Sequence, residues 1–278
     1  MKAKELTDKN YYSDKNWLSN SRFKDYQKCQ ARAYAVDNGL WIEDRDETPL
    51  LLGNYVHSYF ESKEAHGKFL KENGEKLLAK SGKNKGGLKS EFVIGDKVIQ
   101  SLADDEGFGR LYHGLSGDEV KKEMIVYGEI EGVPVKGKLD SVNLSRGYFV
   151  DLKTMKSIYG EEWNVDLKKR VPASVNNILG FGYHGQLGLY RELLKQMTGK
   201  DFRPLIVAVS KENVPDKEII KIDEEWLEEG LQNIKDNIVE VWNVIQGKQK
   251  PTNCGRCDYC RSQKKLGALV SLNDLIEF

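Results

Sequence analysis

Gly137-Lys138-Leu139-Asp140, ten residues later Asp151-Leu152-Lys153-Thr154: this is the stretch on which the reading of the chain turns. Between the two acids runs SVNLSRGYFV, in which the turn formers Asn143, Ser145, Arg146 and Gly147 give way to an aromatic, apolar run. Two antiparallel strands joined by a short turn are expected, one acid late in each. Asp151 and Lys153 are two apart, so in a strand both side chains leave the same face. Two carboxylates and a lysine at a sheet edge suit phosphodiester hydrolysis. Carboxylates hold a hard divalent cation that polarises phosphate and lowers the pKa of a bound water, while the lysine steadies charge on the reacting oxygens. Asp-Leu-Lys-Thr alone is a common tetrapeptide, and its lysine could simply be a surface residue. Agreement elsewhere in the chain has to decide.

With 278 residues the chain can bury a sizeable core. A hydrophobic fraction of 39% with 31% charged residues describes an ordinary globular composition. No apolar run reaches a membrane span, and the opening MKAKELTDKN lacks the apolar stretch of a signal peptide, so a cytoplasmic location is expected. Lys+Arg and Asp+Glu both number 43, which excludes a uniformly basic nucleic-acid coat and requires any nucleic-acid site to concentrate its positive charge locally.

Working outward, the segment before the paired acids carries Glu123-Met-Ile-Val-Tyr-Gly, a turn at Glu131-Gly132, then Val133 to Asp140, which predicts a three-strand meander through Asp151. Residues 1–18 read as an extended lead-in, and Ser19 or Ser21 caps a helix with Phe23, Tyr26, Ala33 and Tyr34 that includes Cys29 and ends near Asn38-Gly39. Pro49 suits the first turn of a second helix, whose Leu51, Leu52, Tyr55, Val56, Tyr59 and Phe60 form a buried stripe. Gly53, His57 and Glu61 recur every four residues beside that stripe. His57 and Glu61 therefore stack one turn apart, and Gly53 leaves room against the helix. A histidine beside a core stripe is often structural; the glycine favours a ligand role.

Residues 66–90 are polar and basic, with SGKNKGGLKS as the clearest flexible loop in the chain and Lys76, Lys80, Lys83, Lys85 and Lys89 able to touch a phosphate backbone or merely solvated. A short helix is expected over 95–112 and a long one over 174–199, closed by Gly199 and bearing Gln186 and Tyr190 one turn apart. Phe202–Ser210 reads as a strand buried on both faces and Glu218–Ile222 as another. A helix from Asp223 to Gln246 follows, with Trp226, Leu227, Leu231, Ile234, Ile238 and Trp242 on one side.

Helix, three-strand meander, helix, strand is the order of the PD-(D/E)XK nuclease core. Gly53-xxx-His57-xxx-Glu61, Glu123, Gly137-xx-Asp140, Asp151-x-Lys153-Thr154 and Gln186-xxx-Tyr190 resemble, in that order, the motifs of its RecB-like branch. LSNSRFKDYQKCQARAYA, VDLKTMKS and CGRCDYCRS further resemble phage-encoded RecE-like exonucleases. The resemblance implies an α/β fold of restriction-endonuclease type, a central mixed sheet flanked by helices, with a helical N-terminal and a Cys-containing C-terminal extension. One nuclease domain over 1–278 is expected: 1–48 as lead-in and Cys29 helix, 49–222 as core, 223–278 as terminal helix and cysteine segment.

By the same resemblance Asp140, Asp151 and the carbonyl of Leu152 would hold Mg²⁺ or Mn²⁺, and His57 would complete the metal sphere. Lys153 would act on the attacking water or the transition state, and Gln186 and Tyr190 would orient substrate. Glu61 and Glu123 are further candidates. Asp151 replaces the glutamate of many relatives, and a histidine at 57 tilts preference toward Mn²⁺.

The four cysteines are Cys29, Cys254, Cys257 and Cys260. They can form one site only if the early helix meets the C-terminal segment. Iron–sulfur nucleases of the RecB-like branch have one early and three late cysteines, so the resemblance implies a [4Fe–4S] cluster at Cys29, Cys254, Cys257 and Cys260. Zinc and an empty thiol cluster are the alternatives. The resulting expectation is an exonuclease that processes double-stranded DNA ends for phage or prophage recombination, beside a single-strand-annealing partner and as a possible homo-oligomer. The rival readings are an iron–sulfur nuclease of CRISPR adaptation and a non-catalytic DNA-binding protein on a nuclease fold.

Overall fold

The computed structural model describes residues 6–82, 84–267 and 269–273. In chain order the elements are β1 (Leu18–Ser19), α1 (Asn20–Lys28), α2 (Gln30–Asp37), α3 (Thr48–Glu61), α4 (Lys63–Leu77), α5 (Ser90–Ala103) and α6 (Glu106–His113). Then follow β2 (Val120–Ile130), β3 (Val133–Asn143), β4 (Tyr148–Met155), β5 (Glu161–Asn164), β6 (Lys169–Pro172), α7 (Ala173–Gly180) and α8 (Tyr183–Thr198). The last are β7 (Arg203–Ser210), β8 (Lys217–Lys221), α9 (Glu224–Ile245) and α10 (Asp258–Ser262). Two compact units result, one ending at Asn20 and resuming over Arg45–Ile238, the other comprising Ser21–Asp44 and the residues from Val239 onward. Among the described residues no helix is long and apolar enough to cross a membrane.

The larger unit is built on a six-stranded mixed sheet in the order β1-β3-β4-β7-β8, with β2 paired to β3. β2, β3 and β4 form the antiparallel meander, β4 and β7 run parallel, and β8 closes the far edge antiparallel to β7. β7 is buried along Ile206, Val207, Ala208 and Val209, as a strand covered on both faces must be. On one face α3, α5 and α6 pack through Val56, Phe92 and Tyr112 onto Val150, Leu152 and Val209. α8 meets α9 at glycine: a Cβ on Gly188 would stand 2.6 Å from the Leu227 carbonyl, and one on Gly185 3.0 Å from that of Gly230. Those two backbones therefore touch, and α8 has no room to retreat.

The meander has a fork in it. β2 covers one edge of β3 from Val133 to Asn143, with a break only opposite Asp140. On the other edge β1 pairs at Val135 and Lys136, whereas β4 pairs only at Ser141, Val142 and Asn143. Beyond Val150 the two strands diverge, and the first acid sits where they part.

Several expectations are corrected. The single helix predicted through Cys29 is two, because Cys29 is extended (φ −168°, ψ 107°) and its sulfur caps α2 by accepting from the Arg32 amide at 3.5 Å. Within the polar, basic stretch 66–90, where no helix was named, α4 runs as far as Leu77. Ser62 caps α4 by accepting from Ala65 N at 3.0 Å, and its apolar edge is narrow, with Leu77 buried and Phe69 packed on Tyr55. Beyond it Lys80 and Lys85 are exposed, Lys89 is partly buried, Lys76 pairs with Glu47 at 3.3 Å, and Lys83 lies outside the described residues.

The 95–112 helix divides into α5 and α6 where Asp105 caps by accepting from Phe108 N at 2.9 Å. The 174–199 helix divides at Gly182, whose positive φ of 63° turns the chain between α7 and α8. Tyr59 is 44% exposed and leaves the α3 stripe, and Trp226 lies outside the buried side of α9. The β5–β6 hairpin was not expected at all: its alternation is too short and too polar to stand out.

Candidate active site

Asp140 is unpaired on both edges of β3. On the β2 side the ladder runs through Lys122↔Ser141 and Met124↔Leu139 but skips the pair between them, Glu123 and Asp140. Glu123 has a positive φ of 48°, uncommon for a residue with a side chain and a local strain of the kind that gathers at functional sites. On the β4 side the Asp140 carboxylate replaces a ladder bond, accepting from the Leu152 amide at 2.7 Å. The fork thus turns a backbone edge into a carboxylate site.

Three elements converge there. His57 of α3 brings Nδ1 to 3.4 Å from Asp140 Oδ2. Ligand atoms of His57, Glu123 and Asp140 all lie within 4.8 Å of one another. Glu123 also meets the Lys138 ammonium at 3.3 Å, which reaches Asp8 of the lead-in at 3.1 Å. Asp151 and Lys153 share a face of β4, as their spacing requires, and Lys153 Nζ stands 2.6 Å from Asp151 Oδ2. That oxygen is fully buried and, the ion pair apart, accepts no well-directed hydrogen bond. Gln186 of α8 donates to Asp151 Oδ1 at 3.4 Å, and the Lys153 ammonium lies 4.8 Å above the Tyr183 ring. Tyr190, one turn on, is buried with its ring against the backbone of Gly137.

The electrostatics reflect crowded charge. Burial opposes protonation of His57, but the Asp140 carboxylate outweighs it and pushes the imidazole up to about 9. Burial also works against ionised Asp140, which His57 and Lys153 nevertheless hold below the usual carboxylate range. Asp151 is raised by burial despite Lys153. Glu123 is pushed up to about 7, first by burial and then by the Asp140 charge. Lys153 is raised although burial opposes it, because Asp151 and Asp140 face it. An ionised Asp140 whose charge raises Glu123 and Asp151, a histidine beside it and a buried Asp151 oxygen met only by Lys153 form a donor set suited to a divalent cation.

The structure therefore brings His57, Glu123 and Asp140 into one group, with Asp151, Lys153 and Gln186 beside it. Asp151 itself turns toward Lys153 rather than into that group. Leu152 meets Asp140 through its amide. Glu61 acts at longer range, as one of the negative charges that raise Glu123. Lys138 and Tyr183 were not anticipated. Lys138 lies inside the Gly137–Asp140 motif, so its position was a signal that went unused; nothing in the sequence marks Tyr183, since its approach to Lys153 depends on the break at Gly182.

Comparison with known proteins agrees with this architecture. The family described as "PDDEXK-like domain of unknown function (DUF3799)" matches residues 19–263. A crystal structure described as a "Putative exonuclease" from Eubacterium rectale is 32% identical, with a TM-score of 0.82 over 98% of each chain. The crystal structure of SSO0001 shares 13% identity at a TM-score of 0.30, over 86% of this chain and 91% of that one, and carries no weight. No curated protein matches the chain. The chain belongs to the PDDEXK-like family DUF3799, and the meander that positions Asp140, Asp151 and Lys153 is the PD-(D/E)XK core.

Proposed function

We propose that this protein is a divalent-metal-dependent deoxyribonuclease that degrades duplex DNA from its ends. The observation that carries the reading is the convergence of His57, Glu123 and Asp140 within 4.8 Å, beside the Asp151–Lys153 pair. His57, Asp140 and Glu123 would hold the cation, with Asp151 recruited from Lys153; Mg²⁺ or Mn²⁺ suits this mixture of oxygen and imidazole donors. Bound there, the ion supplies Lewis acidity to the scissile phosphate. Lys153 sets a cation beside the reacting oxygens, Gln186 steadies Asp151, and Tyr190 holds α8 against β3.

The likeness to a protein described as an exonuclease favours attack at ends over internal cutting. The sequence resemblance to RecE-like enzymes supports a role in phage or prophage recombination. Its product would be single-stranded DNA for an annealing partner, and a homo-oligomer is compatible with that role. End-labelled linear duplex and covalently closed circles, incubated with Mg²⁺ or Mn²⁺, test the reading. Linear DNA should be shortened from its ends and circles spared; cutting of circles would make it an endonuclease, and no metal-dependent cutting of either would refute the nuclease reading.

A further inference from the structure

In the smaller unit the early and late cysteines meet. Cys29 Sγ lies 3.6 Å from Cys260 Sγ, Cys257 Sγ 3.8 Å from Cys29 Sγ, and Cys254 Sγ 3.9 Å from Cys260 Sγ. All four sulfurs fall within 4.8 Å of one another, and all four are free thiols. Cys29 and Cys260 are buried, packed with Ala31 and against Tyr259. The resemblance to iron–sulfur nucleases implies a cubane here, and these separations allow a direct comparison of sizes.

In a [4Fe–4S] cluster each thiolate caps a different iron and points away from the centre, so the four sulfurs stand roughly 6 Å apart. A [2Fe–2S] cluster brings sulfurs close only in pairs. A single ion with four metal–sulfur bonds of about 2.3 Å defines a tetrahedron whose edges are about 3.8 Å. The observed 3.6, 3.8 and 3.9 Å match that edge, and a limit of 4.8 Å on every separation leaves no room for an inorganic core. The cubane does not fit.

We infer that Cys29, Cys254, Cys257 and Cys260 form a closed mononuclear site for zinc. Zinc is the borderline-soft ion that four thiolates hold tetrahedrally, and a site with every position filled by protein is structural rather than catalytic. The local backbone agrees. Gly255, at a positive φ of 74°, turns the chain so that the Cys257 amide donates to Cys254 Sγ at 3.4 Å, while the Arg32 amide donates to Cys29 Sγ at 3.5 Å. Such N–H groups offset thiolate charge that one divalent ion only half neutralises. The extended conformation of Cys29 that breaks the first helix is what aims its sulfur at the late segment. Loop-closure entropy grows only logarithmically with length, so a clip between residue 29 and residues 254–260 constrains the unfolded chain strongly.

The test is metal and sulfide analysis of the full-length protein, purified anaerobically from cells supplied with both iron and zinc. Zinc bound by the four cysteines, no acid-labile sulfide and no absorbance in the visible are expected. Protein stripped with a chelator and titrated with Co²⁺ should develop the thiolate charge-transfer and tetrahedral ligand-field bands of a four-sulfur site, and those bands should saturate at one equivalent whatever the carboxylate–histidine group takes up. Cys29→Ser and Cys254→Ser should each lose the zinc and lower the melting temperature. If they fail to fold, the measurements on the unaltered chain decide alone. Brown protein with iron and sulfide, or metal-free protein whose four thiols all react freely while it stays folded, would overturn the assignment. No group proposed for DNA cleavage is a cysteine, so either result leaves the nuclease reading standing.

Discussion

Replacing Gly137 with alanine tests whether the packing behind the candidate active site holds it in register. A Cβ at this position would stand 2.5 and 2.7 Å from two ring carbons of Tyr190. Ordinary carbon contact begins near 3.5 Å, so the ring must retreat by about 1 Å. Tyr190 is buried, and α8 is itself stopped from behind, because Gly185 and Gly188 already touch the backbone of α9. With both sides blocked, the cost should be that of overpacking, about 1–3 kcal/mol, which in a chain of this length lowers the melting temperature by roughly 3–10 °C. Gln186 lies one turn before Tyr190 on α8 and would be displaced from Asp151. A 1 Å error in positioning can cost about 100-fold in rate.

The assay is a double-mutant cycle with Tyr190→Leu, read by thermal unfolding and by nucleolytic rate. If the clash is the cause, Gly137→Ala in the Tyr190→Leu background should cost much less stability than it does alone. Tyr190→Phe serves as the control that keeps the ring and removes the hydroxyl. An unchanged melting temperature and rate for Gly137→Ala, or strictly additive losses in the cycle, would show that the Gly137–Tyr190 contact does not govern this site.

Asp140→Asn, Asp151→Asn and Lys153→Met should each reduce metal-dependent cleavage at least about 100-fold while DNA binding in Ca²⁺ persists; near wild-type turnover by any one in saturating Mg²⁺ would remove that residue from the proposed machinery. His57→Ala should raise the metal concentration needed for half-maximal activity and His57→Asp should recover part of it, whereas a core histidine would change only the melting temperature. Asp118 accepts from the Leu115 amide at 3.0 Å, Asn143 Nδ2 at 3.0 Å and Arg146 Nε at 2.6 Å, which holds its carboxyl down at about 2. A lowered folded-state value contributes stability above the ordinary value of 3.8 that is lost as pH falls through about 2; Asp118→Asn should therefore flatten acid unfolding in that window, and an unchanged acid limb would contradict the assignment.

Much of the catalytic half was legible because it is local. SVNLSRGYFV carries its own turn chemistry, so the hairpin between Asp140 and Asp151 follows from neighbours in sequence, and strand alternation alone puts Asp151 and Lys153 on one face. The α3 spacing likewise placed His57 and Glu61 beside, not within, the buried stripe. Helix ends were the poorest reading, for a physical reason: Cys29, Asp105 and Gly182 interrupt patterns whose periodicity runs on past them, the first two by side-chain caps and the third by a left-handed glycine. The polar sequence of α4 gave no helix signal because its helix is supported by packing on Tyr55 rather than by a broad apolar face.

What no local pattern could supply is the meeting of distant segments. That β3 shares one edge between β1 and β4, opening the fork in which Asp140 takes a backbone amide, depends on strand partners more than a hundred residues apart in the case of β1 and β3. The left-handed turn of Glu123 falls at the break in the β2–β3 ladder opposite Asp140, on the other edge of the same strand. Four cysteines in the sequence were compatible with a cubane, a single ion or nothing. Spacing states which sulfurs are available, but a metal site is selected by the distances between them, and those exist only once Cys29 and the late segment are folded together.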